Sequence, residues 1–133
     1  IKGLLKNGSI NIFGNDYDTE DGTCIRDYIH VCDLAEAHIL GLKKLLKQNE
    51  LKRTSPFIYN LGNGKGYSIL EVVKAAEKIS KKKIKINFTN RRLGDPPILI
   101  AASDKVRKEL GWIPKYKNIE EIIEHSYNWH RKN

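Results

Sequence analysis

Two short segments of this chain carry residue types that together could bind a diphosphate joined to a sugar. Residues 91–97 read Arg-Arg-Leu-Gly-Asp-Pro-Pro, which places two guanidiniums and a carboxylate on a turn stiffened by glycine and two prolines. Residues 22–31 place Arg26 in a strand-like run. Guanidinium forks match phosphate oxygens, and a neighbouring carboxylate accepts hydrogen bonds from sugar hydroxyls. Side chains that would transform such a ligand are not evident in the chain.

The same residues also have structural interpretations. Arg26 lies among apolar residues, where a salt bridge to Asp27 or to a core carboxylate would account for its burial. Arg92 and Asp95 could pair with each other across the turn. Position in the sequence leaves these alternatives open.

The other chemistry-bearing residues favour structural roles. The glycines of residues 62–66 follow G-x-G-x-G and not the dinucleotide-binding G-x-G-x-x-G, so we interpret them as a strand-to-helix turn. The acidic loop 16–21 lacks the glycine and the final glutamate of a calcium loop. The four histidines do not cluster at metal-ligand spacing, and we predict no metal site.

Composition is that of one ordinary globular domain of 133 residues, with 40% hydrophobic and 30% charged residues. Much of the net charge of +8 comes from lysines late in predicted helices, where they complement the helix dipole, so we predict no nucleic-acid partner. Two cysteines without disulfide or metal spacing favour a reduced, cytoplasmic protein. No apolar run reaches about 18 residues, so we predict no membrane span.

The order of predicted elements is mixed α/β. In chain order they are a helix end at 1–6 closed by Asn7-Gly8, a strand at 9–13, an extended run at 25–31, a helix from Asp33 to 47, a loop at 48–56, a strand at 57–61, a helix at 69–80, a strand at 84–88, an apolar run at 98–102, a short helix ending at Gly111 and a last helix from 119. Capping pairs that would start three of the helices are Asp33 with Glu36, Ser68 with Glu71, and Asn118 with Glu121.

Two observations indicate a piece of a longer protein. The chain begins at Ile1 without any methionine, and it opens in the last turn of a predicted helix. The helix from Asp33 and the strand at 57–61 have apolar faces with few evident partners. We therefore expect a C-terminal piece, in which elements near residues 26–62 pack on a part of the protein outside this chain.

At these residues the chain resembles the C-terminal part of the UDP-glucose 4-epimerase family of extended short-chain dehydrogenases/reductases. The matching runs lie in family order from about Ser9 almost to the end. They are Asn-Ile-Phe-Gly-Asn-Asp-Tyr at 11–17, Thr-Glu-Asp-Gly-Thr at 19–23, Arg-Asp-Tyr-Ile-His-Val at 26–31, Asp-Leu-Ala at 33–35, Tyr-Asn-Leu-Gly at 59–62, Arg-Arg-Leu-Gly-Asp at 91–95 and Leu-Gly-Trp at 110–112. The phrase from 12 to 31 is specific to this group, whereas the runs at 59–62 and 110–112 are shared more broadly among nucleotide-sugar enzymes.

The resemblance implies that residues 1–133 form the UDP-sugar-binding lobe of a Rossmann-type epimerase, without its N-terminal dinucleotide-binding domain. It implies that the strand holding Asn11, Ile12 and Phe13 lies along the uracil and ribose. Arg26 and Arg92 would hold the diphosphate.

Two further residues complete the implied site. Asp95 would accept hydrogen bonds from the ribose hydroxyls. Leu99 stands where some family members carry tyrosine near the sugar, and a smaller side chain there goes with acceptance of N-acetylhexosamines. Leucine is intermediate, so action on UDP-N-acetylglucosamine as well as UDP-glucose is a hypothesis.

The family enzyme oxidises C4 of the sugar with bound NAD, rotates the keto-sugar and reduces its other face. Its cofactor fingerprint G-x-x-G-x-x-G and its catalytic Y-x-x-x-K do not occur in these 133 residues. We therefore assign no catalytic and no cofactor-binding residue here, and we expect the chain alone to be inactive. The implied ligands are UDP-glucose and UDP-galactose, and the implied full-length assembly is a homodimer.

Three alternatives remain. One is another extended short-chain enzyme, such as a UDP-glucuronate or UDP-N-acetylglucosamine 4-epimerase or a sugar 4,6-dehydratase, against which the phrase at 13–31 argues. Another is a non-catalytic UDP-sugar-binding module. A third is a basic nucleic-acid binder, although the lysines have no interleaved aromatics.

Overall fold

Five helices and five strands are mixed along residues 1–6, 8–47 and 56–132, the ranges described by a computed structural model. In chain order they are α1 (Lys2–Lys6), β1 (Ser9–Phe13), β2 (Ile25–Asp27), α2 (Val31–Lys47), β3 (Gly66–Ser68), α3 (Ile69–Ser80), β4 (Lys85–Thr89), β5 (Ile98–Leu99), α4 (Asp104–Leu110) and α5 (Ile119–Lys132).

Two small sheets position the residues of interest. β1 and β4 pair in parallel, with Ile12 opposite Phe88. Apolar residues alternate along both strands, as the two-residue repeat of a strand allows. Ile12 of β1 is buried and only 2% exposed. In the second sheet β2 lies between β3 and β5, antiparallel to the first and parallel to the second. Arg26 therefore has Tyr67 on one side and Leu99 on the other.

Several helix ends lie where local sequence signals predict them. The Ser68 side chain accepts from the Glu71 N–H, and the Glu71 carboxylate accepts from the Ser68 N–H, which confirms the capping box of α3. Oδ1 of Asn118 accepts from the N–H of Glu120 at 2.9 Å and caps α5. Gly111 closes α4 with a φ of 67°.

α2 begins two residues before the predicted start, and the prediction of Asp33 as its N-cap is wrong. His30 caps the helix, because its Nδ1 accepts from the N–H of Cys32 at 3.0 Å. Asp33 lies inside the first turn and is 1% exposed. Its two carboxylate oxygens accept from the backbone N–H groups of Lys115 and Tyr116, each at 3.0 Å. The Asp33 carboxylate therefore binds a loop distant in sequence and does not cap its own helix.

Residues 57–61 form no strand, contrary to the prediction. Within the described ranges no strand lies beside this segment to complete a ladder. Tyr59 holds it in place, since its hydroxyl donates to Glu109 at 2.6 Å and accepts from Lys44 at 2.8 Å. The predicted loop at 48–56 lies outside the described residues except for Pro56.

The core consists of two apolar clusters. One joins α3 to α5 around Ala76 and Ile123. The other packs Ala37 of α2 against Val106 and Trp112, neither of which is exposed at all. These clusters fix the helices on which the two sheets rest.

α2 leaves part of its apolar face uncovered. Ile39, Leu42, Leu45 and Leu46 are between 44% and 73% exposed. Even so, none of the helices in residues 1–6, 8–47 and 56–132 combines the length and the apolar character that crossing a bilayer requires.

Candidate functional site

Arg26 is bound by the turn that follows β4. Its Nη2 donates to Oδ1 of Asp95 at 2.8 Å, and its Nη1 donates to the carbonyls of Pro96 at 2.9 Å and Ile25 at 2.8 Å. The two side chains of the ion pair are 19% and 29% exposed. The alternative of a salt bridge to Asp27 is therefore wrong, and the carboxylate that satisfies Arg26 is one that the sequence had marked for ligand binding.

Arg92 lies over an aromatic ring and does not form the alternative pair with Asp95. Its guanidinium carbon is 3.9 Å from the centroid of Phe13. The N–H of Asp95 donates to the carbonyl of Arg92 at 3.2 Å, which closes the turn, and Gly94 supplies the required positive φ of 81°. Among the residues that the structure describes, no carboxylate lies within salt-bridge distance of Arg92.

The neighbouring Arg91 has a structural role that the sequence did not reveal. Its Nε donates to Oδ1 of Asp16 at 2.7 Å, and its guanidinium carbon lies 4.3 Å from the ring centroid of Tyr17. The hydrogen bond from Arg91 holds the pKa of the Asp16 carboxyl below its ordinary value. Arg91 thus ties the loop after β1 to the turn after β4, and it leaves Arg92 as the arginine available to a ligand.

β1 presents its residues as the pleat requires. Asn11 is exposed, Ile12 is buried and Phe13 is half-buried. Oδ1 of Asn11 accepts from Nδ2 of Asn87 on β4 at 3.3 Å. In the described part of the chain no strand pairs with the other edge of β1, so its backbone groups face outward there.

Leu99 lines an open cavity of about 730 Å³ beside Arg26. Its side chain is 58% exposed, and Asp27, Tyr59 and Ala101 contribute to the same wall. The structure thus brings Arg26, Asp95 and Leu99 together at β2 and β5, whereas Phe13 and Arg92 meet at the carboxyl ends of β1 and β4.

Asp27 is a residue that sequence reasoning missed. Its carboxylate accepts from the backbone N–H groups of Asn63 at 2.9 Å, Gly64 at 3.2 Å and Ala101 at 3.3 Å. The signal for it was Gly62, because glycine marks a close approach that a side chain would block.

The glycine turn therefore does not fit a dinucleotide. A phosphate-binding turn needs free backbone N–H groups, but those of Asn63 and Gly64 are bonded to Asp27. The space that a Cβ of Gly62 would fill is taken by the same carboxylate, 2.3 Å away. The predicted strand-to-helix turn is wrong in its elements, because residues 57–61 form no strand and β3 lies between the glycines and α3. The backbone of the turn is nevertheless bonded within the protein, and none of its residues is assigned to NAD.

The histidines include one close pair. Nε2 of His30 lies 3.0 Å from Nδ1 of His125, and the His30 ring stacks on Tyr116 with centroids 4.1 Å apart. Within residues 1–6, 8–47 and 56–132, no three His, Cys, Asp or Glu side chains are grouped to hold a metal ion.

Comparison with known proteins identifies the chain's relatives. A sequence profile of the family described as GDP-mannose 4,6 dehydratase matches residues 4–126. The UDP-glucose 4-epimerase of Halalkalibacterium halodurans is 47% identical over 123 residues, which are 92% of this chain and 35% of that protein.

Solved structures agree with the sequence relatives. A UDP-glucose 4-epimerase from Bifidobacterium longum in complex with NAD+ and UDP matches with a TM-score of 0.83 and 42% identity, over 99% of this chain and 37% of that one. The UDP-Glc/GlcNAc 4-epimerase from Campylobacter jejuni matches with a TM-score of 0.79 and 39% identity, over 98% of this chain and 38% of that one.

The chain spans little more than a third of the proteins it matches, and it does so with one continuous mixed α/β fold. This chain belongs to the family described as GDP-mannose 4,6 dehydratase, in which it corresponds to the C-terminal part of a UDP-glucose 4-epimerase of the extended short-chain dehydrogenase/reductase type.

Proposed function

We propose that this chain is the UDP-sugar-binding part of an NAD-dependent epimerase that interconverts UDP-glucose and UDP-galactose at C4. One observation carries the proposal. Arg92, which has no carboxylate partner in the described residues, is held over Phe13 by the same turn whose Asp95 binds Arg26. A nucleoside diphosphate needs this set of groups, namely two guanidinium forks, an aromatic ring and an acceptor for ribose hydroxyls.

The two arginines are prepared for different tasks. Stacking on Phe13 leaves the in-plane N–H groups of Arg92 free to meet phosphate oxygens. Arg26 already donates hydrogen bonds to Asp95 and Pro96. We propose that Arg92 is the main diphosphate anchor, and that Arg26 and Asp95 divide the second phosphate and the ribose between them.

The open edge of β1 is assigned to the base. Uracil offers both acceptors and a donor, and the backbone groups of Asn11 and Phe13 at the open edge of β1 present the complementary pattern. Asn11, Ile12 and Phe13 would thus contribute mainly through the backbone, with the Phe13 ring as an apolar contact.

The chemistry is assigned to the part of the protein outside this chain. NAD, when bound there, takes up and returns the hydride at C4. We propose that the exposed α2 face, including Leu42 and Leu45, and the unpaired segment 57–61 pack on that part. The full-length protein is proposed to be a cytoplasmic homodimer.

Turnover assays test this division of labour. The intact protein should convert UDP-galactose to UDP-glucose with NAD, whereas the purified 133-residue chain should not. Conversion by the chain alone would falsify the assignment of the catalytic groups to the rest of the protein. Binding of UDP-sugar by the intact protein without conversion would favour the non-catalytic module, and preference for UDP-glucuronate would favour the related epimerases.

Leu99 supports a second candidate function, epimerisation of UDP-N-acetylglucosamine. Its half-exposed side chain leaves space in the cavity beside Arg26. The Campylobacter jejuni relative is named as a UDP-Glc/GlcNAc 4-epimerase. In the intact protein, Leu99→Tyr should reduce kcat/KM for the N-acetyl sugar more than for UDP-glucose. Equal rejection of the N-acetyl sugar by both proteins would end this hypothesis.

A further inference from the structure

We propose that Asp27 is a positioning residue for the sugar end of the site, and that it acts through three backbone N–H groups. This role rests on the proposed function. Asp27 ends β2 directly after Arg26, and it makes no contact with a ligand in our assignment. Its carboxylate instead fixes the cavity wall that carries Leu99.

One carboxylate holds two distant segments against β2. Oδ1 accepts from Asn63, 36 positions away, and Oδ2 accepts from Gly64 and from Ala101, which is 74 positions away. We call these three hydrogen bonds the Asp27 clamp. Hydrogen bonds from N–H groups to a charged acceptor are among the stronger ones in proteins. The clamp therefore defines how far the segment after β5 stands from β2.

Gly62 shows that the clamp depends on close packing. A Cβ at this position would lie 2.3 Å from Oδ2 of Asp27 and 2.6 Å from the Cβ of Ala101. Both distances are far shorter than a van der Waals contact, so any side chain would push the carboxylate and Ala101 apart. The glycine that the sequence offered as a turn residue is thus required for the clamp.

The clamp lies on the sugar side of the site and away from Arg92, the proposed main diphosphate anchor. Ala101 lies two residues after Leu99, and both line the cavity beside Arg26. Arg92 is placed by Phe13 at the end of β1, which belongs to the other sheet. Loss of the clamp should therefore loosen the wall around the hexose while UDP remains bound. Misplacing a reacting group by about 1 Å can cost about 10²-fold in rate.

Asp27→Asn in the intact protein tests the role, with Asp33→Asn as the matched control. Asparagine turns one acceptor oxygen into a donor that faces backbone N–H groups. Asp33 also binds two backbone N–H groups through its carboxylate, but it does not line this cavity. Gly62→Ala displaces the same carboxylate without changing its charge, and it serves as the second variant.

Three measurements give the outcome. Hydrogen exchange at the amides of Asn63 and Ala101 should accelerate in Asp27→Asn and Gly62→Ala. The Kd for UDP should stay unchanged, and kcat for UDP-galactose should fall at least about tenfold. Asp33→Asn should lower thermal stability, but it should not lower kcat while leaving the Kd for UDP unchanged.

Contrary results separate the claims. Unchanged exchange at Ala101 would overturn the clamp. If exchange accelerates in Asp27→Asn but the kcat of this variant equals that of the Asp33→Asn control, the positioning role of Asp27 is overturned. Failure of the unmodified protein to bind UDP would overturn the proposed function and the sugar role with it, while the exchange data would still decide whether the clamp exists.

Discussion

Oδ1 of Asp95 lies 2.8 Å from Nη2 of Arg26, although 69 positions of sequence separate the two residues. The pair joins β2 to the turn after β4, so it connects the two sheets that carry the candidate site. It also neutralises Arg26, one of the two arginines that we propose for diphosphate binding. A ligand that recruits Arg26 must share or displace Asp95.

The first prediction concerns the energy of this pair. A double-mutant cycle with Arg26→Ala and Asp95→Ala should give a coupling free energy of about 1–2 kcal/mol to unfolding, because both side chains are less than a third exposed. The Lys78–Glu120 pair is the control, since its side chains are 64% and 45% exposed. Its cycle should give no more than about 0.5 kcal/mol. Equal coupling in the two cycles would contradict the prediction.

The second prediction concerns Arg92, the proposed diphosphate anchor. Arg92→Ala in the intact protein should weaken UDP binding by about 1.5–3 kcal/mol, the range for hydrogen bonds to charged groups. The affinity of Arg92→Lys for UDP should fall between those of the unmodified protein and Arg92→Ala, because lysine keeps the charge and loses the planar fork. Calorimetric titration gives the affinities, and Lys82→Ala removes the same charge from an exposed position as the control. An unchanged affinity for UDP in Arg92→Ala would leave Arg92 a structural residue.

The third prediction concerns acid stability. Burial opposes ionisation of Asp21, but hydrogen bonds from Ser68 and Thr23 outweigh burial and hold the pKa of this carboxyl below its ordinary value. A carboxyl of this kind stabilises the fold above its unfolded pKa of about 3.9, and the contribution is lost as the pH falls through the lower, folded pKa. Asp21→Asn should therefore be less stable at pH 7, by about 1–3 kcal/mol.

Urea unfolding at several pH values checks this point. The difference between Asp21→Asn and the unmodified protein should shrink as the pH is lowered below about 4. Asp18, an exposed carboxylate of the same loop, gives the charge-matched control as Asp18→Asn. A stability difference that stays constant down to acid pH would show that the charge of Asp21 is not responsible.

The fourth prediction concerns the histidine pair. Nδ1 of His30 accepts from the N–H of Cys32, so its ring proton is on Nε2 and points at Nδ1 of His125, 3.0 Å away. His30 is only 5% exposed, and His125→Ala should leave this N–H unpaired at a cost of about 1–3 kcal/mol in unfolding free energy. His125→Asn offers an amide oxygen in place of Nδ1 and should cost less. Equal losses in the two variants, measured by denaturant unfolding, would show that packing and not the hydrogen bond is responsible.

Elements that depend on neighbouring residues could be predicted from the sequence. The capping box of Ser68 and Glu71, the stop at Gly111 and the strand at 9–13 all rest on contacts within a few residues, and the structure places them as predicted. The family resemblance rests on the same local phrases, and the comparisons confirm it.

Partners of buried charges could not be predicted, because they are chosen over long distances in the chain. Asp33 reads as a helix cap, yet its carboxylate binds backbone groups 82 and 83 positions away. The segment 57–61 has the composition of a strand, but a strand also needs a neighbour, and none lies beside it in the described residues.

The sequence by itself therefore determined the family and the order of most elements, and it supplied the arginines and carboxylates that we propose for a UDP-sugar site. The tertiary structure alone decided that Arg26 pairs with Asp95 and that Arg91 pairs with Asp16. It also decided that Arg92 has no carboxylate partner among the described residues and stacks on Phe13. The physical reason is that a charged group removed from water takes whichever partner the completed fold brings within hydrogen-bond distance, and spacing along the chain does not encode that distance.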